Sequence, residues 1–156
     1  MIKRIVAAVD GSHASMAAFK DALGLVDPEG TVLAVIVEDY ESFYHHYAVA
    51  IYGGNAEQDV QRFRQQWAVD VDRIQAELLA YPRSPNITVE CTALETATQG
   101  RPALVLYHWA LAAHAELITV GHHREPMRPV GYLGSFPRWL VHHSAVPVMV
   151  VPPTGS

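Results

Sequence analysis

The 156-residue sequence predicts an α/β protein: one domain, built as an open five-stranded parallel sheet with helices on both faces. Three observations predict it. Short runs such as IVAAV (5–9) and LITVG (117–121) lack polar alternation, as expected of strands buried on both faces. Other segments carry apolar residues at helical spacing. The two kinds alternate along the chain, which is the pattern of right-handed crossovers on a parallel sheet.

Taken in order, strand 5–9 ends at Asp10-Gly11-Ser12, and Ser12 is placed to cap a helix beginning HASMAAFKDALGLV. In that helix Met16, Ala17, Phe19, Ala22, Leu23 and Val26 share a face. DPEG (27–30) predicts a turn before a second buried strand, TVLAVIVE (31–38). Residues 39–55 have no clean period and predict an irregular loop insertion within a domain spanning 1–153. A long amphipathic helix follows at 56–81, with Val60, Phe63, Trp67, Val71, Ile74 and Leu78 in one stripe. ITVECTAL (87–94) alternates and predicts a strand nearer the sheet edge. GRPA then opens the helix LVLYHWALAAHA, with Pro102 suited to a first turn. LITVG is the fourth strand, FPRWLVHHS a helix and VPVMVVP the fifth strand.

Composition narrows the function classes. A net charge of -5 without a basic run argues against nucleic-acid binding. A single cysteine, Cys91, makes no internal disulfide and fits a reducing, cytoplasmic setting. The opening MIKRIVAAVDGS is too short in apolar residues for a signal peptide, and no run approaches the ~20 apolar residues of a membrane span.

The stretch GHHREPMRPVGYLGS (121–135) joins a strand to a helix, where an anion cradle belongs. Gly121 suits a sharp exit with positive φ and a close backbone approach. Gly134-Ser135 precedes a helix whose first turn holds Pro137, and Ser135 is a natural N-cap whose neighbouring amides and hydroxyl suit a phosphate. The plainer account is also strong: glycine at a strand exit and serine at a helix start are ordinary structure. No Walker-type lysine lies in the loop, and DGSHAS lacks the glycines of a dinucleotide fingerprint.

The spacing of this loop, with Gly121, Arg124, Gly134 and Ser135 in the places of G-x2-G-x9-G-[ST], resembles that of the universal stress protein family. IVAAVDGS, VLAVIVED, GRPALVLYHWALAAHAELITVG and WLVHHSAVPVMVV resemble its other segments in order, over nearly all the chain except 39–55. The resemblance implies a Rossmann-like sheet of the adenine nucleotide alpha hydrolase type. It implies a small cytoplasmic stress-response protein, homodimeric through the last strand (Val146 to Val151), that binds ATP, or ADP or AMP. Asp10 would hold the adenosine and Val37 would touch adenine. Gly121 would let the loop close, and Gly134, Ser135 and the Phe136 amide would hold phosphate. His122 and His123 sit in the same loop, and His123 matches a frequent family histidine.

Arg124 departs from the pattern, standing where the family has glycine. Arginine takes positive φ at a cost of roughly 1 kcal/mol or more and can close the site. A guanidinium, here or at Arg128, can instead pair with a polyphosphate. Pro126 and Pro129 stiffen the loop either way.

Other groups read more plainly. Asp10 commonly would close a turn or cap a helix. Glu38-Asp39 reads as a solvated strand end, with Mg2+ beside phosphate as the alternative. The pairs His45-His46, His122-His123 and His142-His143 are poor chelators if helical, because neighbours diverge by about 100°. His142-His143 suit a helix C-terminus. No nucleophile has a base in sequence reach, so no catalytic residue is assigned. The leading expectation is a nucleotide-binding homodimeric regulator. The alternatives are a nucleotide-independent interaction module, with Arg124 closing the site, and a slow ATPase.

Overall fold

The computed structural model describes residues 1–37, 56–95, 102–122 and 135–152. Their elements follow the expected alternation: β1 (Ile2–Val9), α1 (His13–Leu25), β2 (Val26–Val37), α2 (Ala56–Ala80), β3 (Thr88–Leu94), α3 (Pro102–Ala112), β4 (Leu117–Gly121), α4 (Ser135–His143) and β5 (Val148–Val151). The five strands pair in parallel in the order β3-β2-β1-β4-β5. Edge position for β3 agrees with its alternating sequence. The expected loop at 39–55 lies outside the described residues.

Strands β1 and β2 are apolar over 5–9 and 32–37 because each face has its own core. Ile5, Ala7 and Val9 of β1 and Val32, Ala34 and Ile36 of β2 pack with Phe19 of α1 and Ile74 and Leu78 of α2. The alternate residues Val6, Ala8, Leu33, Val35 and Val37 pack with Leu106 of α3 and Leu140 of α4. Helices α1 and α2 therefore cover one face, α3 and α4 the other. The predicted stripe of α2 holds where its side chains are described: Ile74 and Leu78 are buried, and Trp67 and Val71 pack against the same cluster.

Some boundaries differ from the sequence reading. DPEG is absorbed into β2. Lys3 alone separates the paired Ile2 and Arg4, whereas residues 27–30 separate their partners Val26 and Thr31. Its turn chemistry survives inside this bulge, since the Glu29 amide donates to Asp27 Oδ1 at 2.9 Å. Gly30 is needed there, because a Cβ would lie 2.9 Å from the Lys3 carbonyl oxygen. Helix α3 begins at Pro102 and stops at Ala112, short of the expected Ala115. His114 takes a left-handed φ of 58°, its amide donates to Leu111 O (3.1 Å), and the Ala115 amide donates to Ala110 O (3.0 Å). That pair of bonds is a Schellman closure formed without glycine.

Candidate functional site at the carboxyl pole of the sheet

Strand β1 connects through α1 to β2 on one side, while β4 lies on its other side. The chain thus reverses direction across the sheet between β1 and β4, and a crevice at their carboxyl ends is where such sheets take ligands. Asp10 leaves one side of that crevice and His122 the other.

The β1–α1 turn is built by serines. Ser12 is the N-cap of α1, and its hydroxyl accepts from the Ser15 amide at 3.2 Å. The buried Ser15 hydroxyl accepts from the Asp10 amide (3.2 Å) and donates to the Ser12 carbonyl (3.0 Å). Asp10 Oδ1 accepts from the Ser12 amide at 2.9 Å, so this carboxylate closes a turn, while its residue stays exposed at the pole. Gly11 makes the turn possible with a φ of 87°, and an added Cβ would stand 3.0 Å from Ile74 Cδ1. Neither Gly11 nor Ser15 was singled out in the sequence; the Asp-Gly pair after a strand was the signal for the first.

Gly121 is needed for a different reason from the expected one. Its φ is not in the left-handed region, where Gly11 is the glycine found among the described residues. A Cβ on Gly121 would meet Ala14 C at 2.5 Å and Ser15 N at 2.7 Å. The close approach is to the first turn of α1. Beyond it the His122 amide donates to Val151 O at 2.7 Å, committing that part of the main chain to β5. Val37 ends β2 with its side chain buried in the α3/α4 core.

Helix α4 includes Ser135 as its first residue, so the serine lies in the opening turn and not before it. Ser135 is exposed, whereas the Phe136 side chain packs into the core and anchors the turn. The first-turn amides have no intrahelical acceptors, and the turn carries no acidic residue. His123, Arg124 and Gly134, with Arg128, Glu38 and Asp39, lie outside the described residues. What is described fits a nucleotide in part: an exposed carboxylate on β1 and an anion-compatible helix start on α4.

The chain matches the universal stress protein family model over residues 1–152. It belongs to the universal stress protein family. Among similar solved structures, the universal stress protein UspA from Lactobacillus plantarum shares 22% identity over 96% of this chain and 97% of its own, with a TM-score of 0.61. A universal stress protein in complex with cAMP shares 16% identity over 98% of both chains, with a TM-score of 0.53. A family protein from Arabidopsis thaliana with AMP bound shares 17% identity over 98% of this chain and 93% of its own, with a TM-score of 0.54. At these identities the likeness establishes the fold. No curated protein sequence matches the chain.

Remaining candidates resolve by geometry. His143 stacks on Trp139 with ring centroids 4.5 Å apart and planes at 16°, and its Nδ1 lies 2.9 Å from the Trp139 carbonyl oxygen. With the His142 ring 6.5 Å away at 70°, the pair does not converge on one point. Among the described residues no three His, Cys, Asp or Glu side chains gather as a metal group. No described helix is long and apolar enough to cross a membrane. Cys91 packs against the α1/α2 core, and burial holds its thiol above the ordinary value despite the opposing Arg83 charge.

Proposed function

We propose that this universal stress protein binds an adenine nucleotide, ATP first, across the carboxyl pole of its sheet and acts as a homodimeric regulator, not as an enzyme. The observation that carries the reading is the reversal of strand order between β1 and β4, with an exposed Asp10 after β1 and the exposed start of α4 after the β4 loop. In it Asp10 accepts from the adenosine sugar and Val37 lies against the base. The α4 amides and the Ser135 hydroxyl hold phosphate oxygens, with Gly134, His122, His123 and Arg124 around them and Mg2+ accompanying the triphosphate. The family's solved members with cAMP and AMP support an adenine ligand.

The homodimer reading is supported by β5, an edge strand of four residues with Val148, Met149 and Val150 half-buried. An apolar edge with unpaired backbone groups is stabilised by a second copy in antiparallel pairing. A cytoplasmic location accords with the single, unpaired Cys91.

The nucleotide content of freshly purified protein, released by denaturation and separated by chromatography, tests the reading. About one adenine nucleotide per chain is the expected result. An empty protein whose melting temperature is unmoved by millimolar ATP overturns it, since a ligand that binds only the native state must raise stability. One observation favours the alternative of an interaction module without nucleotide. Gly121 is explained by its contact with α1, with no ligand needed. In that reading Arg124 closes the phosphate end.

A further inference from the structure

We propose that Arg73 is a further ligand-binding residue, gripping the base end of the nucleotide; the inference rests on the nucleotide reading above. The helix carrying it seats beside the β1–α1 turn. Ile74 meets Gly11 at the level of the strand ends, and Leu78 is buried one turn deeper. Val71 and Trp67, about one and two turns before Ile74, still pack against the α1/α2 core, so Arg73 lies where α2 is seated at the carboxyl pole.

A polar ladder runs along one flank of α2. Gln66 Nε2 donates to Asp70 Oδ1 at 3.1 Å, and Arg73 lies 3.6 Å from Asp70 Oδ1 and 3.8 Å from Glu77 Oε1. Exposed pairs at these distances stabilise the fold little. Their effect is to steady the guanidinium, which places Nη2 3.8 Å from the position of a Gly11 Cβ, one residue from Asp10. Here the bare Gly11 leaves the guanidinium standing over the turn that presents Asp10.

The face decides which end of the ligand it meets. Arg73 belongs to α2, on the α1 side of the sheet, whereas the phosphate-compatible helix α4 lies on the opposite side. A guanidinium placed with Asp10 and away from α4 meets the adenosine end, from the face of the sheet opposite the Val37 side chain. Its plane stacks on a purine.

Calorimetric titration of ATP, AMP and adenosine into wild-type, Arg73→Ala and Arg73→Lys protein tests this. Arg73→Ala is expected to weaken all three ligands by the same factor, roughly 3- to 20-fold, the range of a guanidinium–ring contact. Arg73→Lys recovers only part of it, because an ammonium lacks the planar face. Equal affinities in wild-type and Arg73→Ala overturn the proposal and leave nucleotide binding standing. A loss that grows from adenosine to ATP overturns the base-end assignment. Wild-type protein that binds none of the three overturns the nucleotide reading and this inference with it. Ligand-free melting temperatures separate a folding defect from a binding one.

Discussion

Gly121 and Ala14 meet so closely that a Cβ on the glycine would lie 2.5 Å from the Ala14 carbonyl carbon. The end of β4 thus seats on the backbone of α1, and through it the two sides of the crevice are held in one geometry. Backbone atoms on both sides leave no flexible side chain to move aside. Gly121→Ala is expected to lower stability by about 1–3 kcal/mol or more without any nucleotide present, measured by urea unfolding. A variant as stable as wild type would show that the contact relaxes and would return the glycine to a ligand role.

The same seam contains a buried hydrogen bond, Thr119 Oγ1 to the Ala18 carbonyl at 3.1 Å. Thr119→Val keeps the shape and removes the donor, leaving a buried acceptor short of a partner. A loss of about 1–2 kcal/mol in the same unfolding experiment is expected. Gly121→Ala and Thr119→Val should not add independently, because both act on the β4–α1 contact.

Asp10 carries two separable roles. Its Oδ1 accepts from the Ser12 amide, which a neutral amide oxygen also does. Asp10→Asn is therefore expected to keep most of the stability, whereas Asp10→Ala loses about 0.5–2 kcal/mol, the range for a lost capping contact. Nucleotide affinity should fall in both. Affinity that tracks stability alone, unchanged in Asp10→Asn, would leave the residue a turn former only.

Cys91 gives a pH prediction. Burial disfavours its thiolate, so its folded pKa lies above the unfolded one. The native state then holds its proton more tightly, and the associated stability is complete below the ordinary thiol range and lost as pH rises through the raised value. Relative to Cys91→Ala, wild-type stability should decline above about pH 8.5 and not below. Native alkylation by iodoacetamide at pH 7.5 should be slower than that of the unfolded chain. Equal alkylation rates would contradict the burial.

Much of the architecture was legible because it depends on local pattern. Apolar runs at 5–9 and 117–121 could only be strands covered on both faces, and the stripe through Trp67, Ile74 and Leu78 could only be a helix face. The DPEG bulge and the end of α3 at Ala112 were not legible. The first is stabilised by pairing of Val26 with Ile2, and the second by a Schellman closure in which His114 takes a conformation usually left to glycine.

The sequence by itself determined the alternation of strands and helices, the capping serine at position 12, and the order of segments that marks the universal stress protein family. These follow from periodicity and side-chain chemistry, which act over a few residues. Only the tertiary structure decided why Gly121 is glycine, which face each helix covers, and that Arg73 stands over the Gly11 turn. Those are distances between residues far apart in the chain. They are set by how α1 and α2 seat on the sheet, and no local pattern encodes them.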